Sequence, residues 1–249
     1  GQARSVEAEA GERERGLPRR LGDQMEGRDA SHVSDMLSSM DAISDFASTP
    51  VDVLVVMVVG YLLGSIPVAN LVAARRSAVD LRDVGDRNPG FWNARETMGR
   101  MAAVPVFVGD VAKGFVAAGL GVLLADDGVW GLPYVAGGAA MVGHAFPVFA
   151  QFVGGRSILT FVGTVIVATP IATAISIGIL LVVFAATRSF AWGARVGMVA
   201  LPFVQLVVEG PYRTAATGVL MTFIGVRFGQ AAIADRRRAE RDGSSATQP

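Results

Sequence analysis

Between Ile158 and Thr187 the chain runs for 30 residues without one ionisable side chain. A hydrocarbon layer about 30 Å thick takes roughly 20 residues of helix, so this run is too long for one comfortable crossing. Pro170 falls inside it and divides it into two helices, which reads as a helical hairpin. Residues 51–74, 101–125 and 129–150 form three further apolar stretches of spanning length. Two weaker ones, 189–208 and 211–233, each carry an arginine near one end that can snorkel to the headgroups. Seven membrane helices are therefore expected, in an all-α polytopic membrane protein. With 51% of residues hydrophobic and 18% charged, the composition is one that soluble globular chains rarely show.

The charges are unevenly placed. Residues 1–50 hold six arginines and ten acids, leaving sixteen basic and twelve acidic groups elsewhere. Rich in Glu, Arg, Ser, Asp and Gly and lacking an apolar stripe, residues 1–50 read as a disordered N-terminal extension. The chain opens on Gly, and Met25, Met36 and Met40 are candidate starts. After the first span come Arg75, Arg76, Arg82, Arg87, Arg95 and Arg100; Arg156, Arg188 and the basic tail 236–249 lie on the same side. The opposite loops carry only Arg213, beside Asp126, Asp127 and Glu209. Because positive loops stay cytoplasmic, the N-terminus is expected outside and the C-terminus inside, which requires an odd number of spans. Topology explains the arginines, so nucleic acid is not an expected partner. The absence of cysteine excludes disulfides and thiolate chemistry, and two histidines far apart in sequence give no metal site.

Chemistry is sought where ionisable groups interrupt the apolar pattern. Asp110 and Lys113, spaced i, i+3, share a helical face and can pair within the bundle. Lys113 is the chain's only lysine. The pair reads equally as a self-neutralising helix link or as part of a site. The loop from Asp80 to Asn93 combines glycines, asparagines and arginines, which suits a phosphate but also suits a basic cytoplasmic turn. His144 ends an apolar run and is followed by Gly154-Gly155-Arg156, a second candidate anion cradle.

Taken together and in order, these stretches resemble the bacterial acyl-phosphate:glycerol-3-phosphate acyltransferases of the PlsY type. The resemblance covers about residues 51–235. It rests on Gly60-Tyr61-Leu62-Leu63-Gly64-Ser65-Ile66-Pro67, on Asp80-Leu81-Arg82 with Gly85, Asn88, Gly90 and Asn93, on Asp110-Lys113-Gly114, and on Gly143 to Phe149 with Gly154-Gly155. It implies a seven-helix domain in a bacterial cell membrane, with no cofactor. Acyl phosphate, glycerol 3-phosphate and membrane lipids are its partners, and lysophosphatidic acid is its product. By the same resemblance, Lys113, His144 and Arg156 are the candidate catalytic residues. Arg82, Gly85, Asn88, Gly90, Asn93, Gly154 and Gly155 are the candidate phosphate-binding residues.

Several positions depart from the family pattern. Asp86 stands for Ser, Arg87 for Gly, Phe91 for Ala, Trp92 for Thr, Glu96 for Arg, Arg156 for Lys, Ser157 for Gly and Phe228 for His. A carboxylate about 4 Å from a phosphate charge costs on the order of 4 kcal/mol at an effective dielectric of 20. Asp86 is thus unfavourable unless neutralised by Arg87, and Trp92 is expected to crowd the pocket. Two functions remain open at this level: an acyltransferase with a remodelled pocket, or a catalytically impaired relative that binds lipid or a partner. A transporter is a weaker third, since no internal repeat is visible.

Overall fold

The computed structural model describes Phe46, residues 49–76 and residues 79–245. The disordered extension expected over residues 1–50 lies, as far as residue 45, outside the described residues. The first helix, α1 (Pro50–Gly64), starts one residue earlier than the sequence boundary. Proline suits its first position, and Thr49 and Asp52 form a reciprocal capping box ahead of the apolar run.

The first apolar stretch is not one helix. Pro67 cannot donate to the helical ladder, and the chain breaks at Ser65-Ile66-Pro67 before resuming as α2 (Val68–Arg76). Irregular backbone at membrane depth is tolerated where protein re-satisfies its polar groups. Here Ser65 donates its hydroxyl to the Tyr61 carbonyl at 2.8 Å, and Lys113 Nζ donates to the Ile66 carbonyl at 3.2 Å.

A short helix α3 (Phe91–Met98) then leads through Gly99 into α4 (Arg100–Leu123). Next come α5 (Leu132–Ala145), a 3-10 turn (Val148–Ala150), α6 (Ile158–Ala168), α7 (Pro170–Thr187), α8 (Phe190–Glu209) and α9 (Pro211–Ser245). Among the described residues six segments are long and apolar enough to cross a membrane: Pro50–Arg76, Arg100–Leu123, Leu132–Ala150, Pro170–Thr187, Phe190–Glu209 and Pro211–Glu240. The protein is an all-α, multi-pass membrane protein.

One expectation is revised in detail. Pro170 does split the 158–187 run, but its halves are not each other's main packing partners: α6 packs on α4 and α5, whereas α7 packs on α8. With 11 residues, α6 is about 16 Å long, shorter than the other spans. The helix α9 runs into the basic stretch expected from residue 236, through Arg236, Arg237 and Arg238 to Ser245.

The most enclosed span is α5, flanked by α1, α4 and α6. In a bilayer, helices gain little from apolar contact as such, so close approach through small residues holds them together. Gly60 and Gly64 of α1, spaced four apart, lie against the Ala136 and Ala140 carbonyls of α5. Gly114 of α4 lies against the Thr160 carbonyl of α6, and Gly163 of α6 against the Val111 carbonyl of α4. The second contact fixes the turn of α4 that carries Asp110 and Lys113. Large residues such as Leu54, Leu62, Val108, Val182 and Phe203 point outward, as lipid-facing positions do.

A Cβ at Gly114 would overlap backbone, whereas at Gly119 of the same helix nothing lies within 4 Å. Gly114→Val should therefore lose more than about 3 kcal/mol and Gly119→Val less than about 1. Thermal unfolding and gel filtration of the two detergent-solubilised variants distinguish them; equal behaviour would contradict the close α4–α6 contact.

Candidate active site

Asp110 and Lys113 sit one turn apart on α4, and both are buried, at 2% and 6% exposure. Their oxygen and nitrogen are 2.9 Å apart. The last turn of α5 brings His144 to the same carboxylate, with Nδ1 3.5 Å from Asp110 Oδ1. Lys113 reaches onward to the Ile66 carbonyl, which also accepts the Val68 N–H at 2.9 Å. The cluster thus joins three spans: the break after α1, the middle of α4 and the end of α5. Tyr61 of α1 pins that α5 end by donating to the Phe146 carbonyl at 2.9 Å.

Beyond His144 the chain turns back on itself. The Gly155 N–H donates to the His144 carbonyl at 3.0 Å. A side chain at Gly155 would strike the His144 ring, and one at Gly154 would strike the His144 carbonyl. The double glycine is therefore required by proximity. Arg227 of α9 donates to the carbonyls of both glycines at 3.4 Å and lies over the Phe146 ring at 4.6 Å. Arg156, next in the chain, lies over the Phe228 ring at 4.8 Å.

The Asp80–Asn93 loop packs against this assembly. Arg82 grips Asp80 with Nε at 3.0 and 2.9 Å and Nη2 at 2.5 Å, and Arg82 Nη1 donates to the Ala150 carbonyl at 3.3 Å. That guanidinium holds the Asp80 carboxyl below its ordinary value of 3.8, and the carboxylate raises Arg82 in turn. Fully buried Asn93 donates its amide to the Leu81 and Val84 carbonyls at 2.8 and 2.9 Å and accepts from Thr97. Gly85, at φ +59, fits close against the Asn93 amide oxygen. Asn88 is half-buried with its N–H on Asp86, and Gly90 starts α3 in extended conformation beside the Asn88 amide. Arg87 stands at φ +56, a left-handed conformation suited to the glycine of the family pattern.

Two expectations about this loop are corrected. The partner of Asp86 is Arg156, at 3.2 Å, rather than Arg87, whose backbone is left-handed at the end of the turn that starts at Val84. Trp92 does not crowd the pocket: it is 43% exposed and stacks under the Arg95 guanidinium at 5.0 Å. Its neighbour Phe91 supports α4 by packing on Phe107 instead.

Lys113, His144, Gly154 and Gly155 are brought together around one narrow pocket, with Asp110, Asn70 and Pro89 in its wall. Its free volume is about 10 Å³, room for about one water. Arg82 instead borders an adjoining open groove of about 430 Å³, which shares Asn70. Sequence reasoning overlooked Asn70, whose buried side-chain oxygen has no partner among the described residues. It also gave Arg227 no role. The available signal for Arg227 was an arginine well inside the last apolar run, costly there unless paired or working.

Residues 54–234 match the family described as Glycerol-3-phosphate acyltransferase. The glycerol-3-phosphate acyltransferase of Exiguobacterium sibiricum is 40% identical over 121 residues, covering 49% of this chain and 57% of that relative's length. That of Desulforudis audaxviator is 33% identical over 174 residues, covering 69% of this chain and 86% of its own. Among solved structures, PlsY, an integral membrane glycerol 3-phosphate acyltransferase, in its glycerol 3-phosphate form is similar at a TM-score of 0.61. It is 28% identical, and the match covers 76% of this chain and 93% of that one. The lysophosphatidic acid form gives a TM-score of 0.60 over the same shares. With the buried cluster and the loop motifs inside the matched segment, this chain belongs to the glycerol-3-phosphate acyltransferase family.

Proposed function

We propose that the protein transfers a fatty acyl group from an acyl phosphate to sn-glycerol 3-phosphate, forming lysophosphatidic acid at the start of phospholipid synthesis. The observation that carries this reading is the enclosed cluster of Lys113, Asp110 and His144 beside Gly154-Gly155-Arg156, built inside the family segment. An acyl phosphate is already activated, so no covalent intermediate on the protein is needed. The acceptor hydroxyl attacks the acyl carbon, the acyl–oxygen bond to phosphate breaks, and phosphate leaves with the electron pair and takes up the hydroxyl proton as hydrogen phosphate. The protein's work is to hold two phosphates near each other and stabilise the developing oxyanion. In this reading Lys113, His144 and Arg156 face the reacting groups, with Arg227 beside them. Gly154 and Gly155 bring backbone close to phosphate, Arg82, Asn88 and Gly90 border the acceptor side, and Gly85 and Asn93 hold the loop. The acyl chain lies among the helices or in lipid.

The topology belongs to the same reading: seven crossings over residues 51–235, N-terminus outside, C-terminus and site cytoplasmic. Arginine placement supports it. So does Thr169 at the end of α6, which donates to Glu209 at the far end of α8 at 2.5 Å, while Ser157 at the start of α6 donates to Met141 near the His144 end. The short α6 thus links opposite sides of the bundle.

The test is to supply purified protein in detergent with long-chain acyl phosphate and glycerol 3-phosphate and to quantify lysophosphatidic acid. Product above a no-protein control is expected; its absence would favour the alternative, a catalytically impaired relative that binds membrane lipid.

A further inference from the structure

Pro89 of the 80–90 loop forms one wall of the pocket and Val153, Gly154 and Gly155 form another. Two contacts join these segments: Arg82 to the Ala150 carbonyl, and Asp86 to Arg156. The second contact has a chemical peculiarity. It sets an anion on a cation that lies where a substrate phosphate is expected. Arg156 Nη1 is 3.2 Å from the Asp86 carboxylate, yet its Nε is buried with no partner among the described residues. Arg227 likewise has a buried Nε with no partner among them. Donor capacity therefore remains around Gly154 and Gly155, while the charge of Arg156 is already balanced.

We infer that Asp86 is a specificity-determining positioning residue, a built-in competitor that a substrate must displace from Arg156. A phosphate monoester carries a charge of about −1.5 to −2 and three acceptor oxygens, so it replaces a carboxylate on a guanidinium favourably. A phosphodiester carries one charge and has no such advantage. At a membrane surface crowded with phosphodiester headgroups, Asp86 keeps Arg156 closed to them and open to glycerol 3-phosphate. The inference rests on the proposed acyl transfer for the identity of the acceptor.

Asp86→Asn and Asp86→Ser each remove the competitor. A partly exposed ion pair of this kind corresponds to a KM for glycerol 3-phosphate about fivefold lower, with kcat held within about twofold. Inhibition by a soluble glycerophosphodiester, weak in the wild type, should appear in both variants. Asp83→Asn, an exposed acid of the same loop, should do neither. An unchanged or raised KM in both Asp86 variants, or an equal shift in Asp83→Asn, overturns the inference. Should the wild type form no lysophosphatidic acid, the proposed function fails, and thermal-shift titration with inorganic phosphate then decides this point separately. Half-maximal stabilisation of Asp86→Asn at about fivefold lower phosphate supports it; equal midpoints, or no stabilisation of either protein, overturn it.

Discussion

Lys113→Ala should abolish acyl transfer and at the same time cost about 3–5 kcal/mol of stability, because it strands the Asp110 carboxylate in the bundle without its counter-ion. Both partners are almost fully enclosed, so solvent cannot take over the neutralising role. Loss of activity in this variant is therefore ambiguous on its own. The double variant Asp110→Asn/Lys113→Met removes both charges and should recover most of the stability. If Lys113 faces the reacting phosphates, the double variant stays at least 100-fold below wild type, as expected for loss of one oxyanion-stabilising group. Thermal unfolding and lysophosphatidic acid formation, measured side by side, separate the two roles. A double variant with near-wild-type turnover would reduce Lys113 to a helix-linking cation.

Arg156→Ala is the second large effect, a fall of about 100-fold in kcat/KM. Unlike Lys113 it is partly exposed, at 23%, and its removal leaves Asp86 near solvent. Stability should accordingly change by less than about 1 kcal/mol. Arg156→Lys keeps the charge but gives up the flat guanidinium that lies over Phe228. It should recover roughly a tenfold share of the lost activity. Full activity in Arg156→Ala would remove this residue from the proposed site. Arg156 and Phe228, two positions at which the resemblance implies a lysine and a histidine, lie against each other.

The helical class and most spans were legible because a bilayer imposes a simple composition rule on length and charge. Pro170 announced its break for the same reason: a missing N–H is readable residue by residue. The Asp110–Lys113 pair was legible too, since spacing on one helix fixes a face. Contacts between distant segments were not. Nothing local in Asp86 says that its partner lies seventy residues on, and Arg87, the adjacent arginine, was the natural guess. Trp92 looked obstructive by size alone, yet the register of α3 turns it outward and Phe91 inward. The division of labour between α6 and α7 was hidden as well, because packing partners depend on where Gly114 and Gly163 allow close approach. Asn93 reads as a ligand from its place in the motif, while its amide hydrogens are committed to the loop.

The break after α1 has a consequence for how this region is probed by substitution. The second partner of Lys113, beside Asp110, is a main-chain oxygen, that of Ile66. Every residue at position 66 offers the same oxygen, so an alanine scan passes over it in silence, and comparison of side chains at that column carries no trace of its part. Its placement is encoded one residue further on, in a ring that forbids the helix to continue. Pro67 is thus where this unseen acceptor can be inherited or lost.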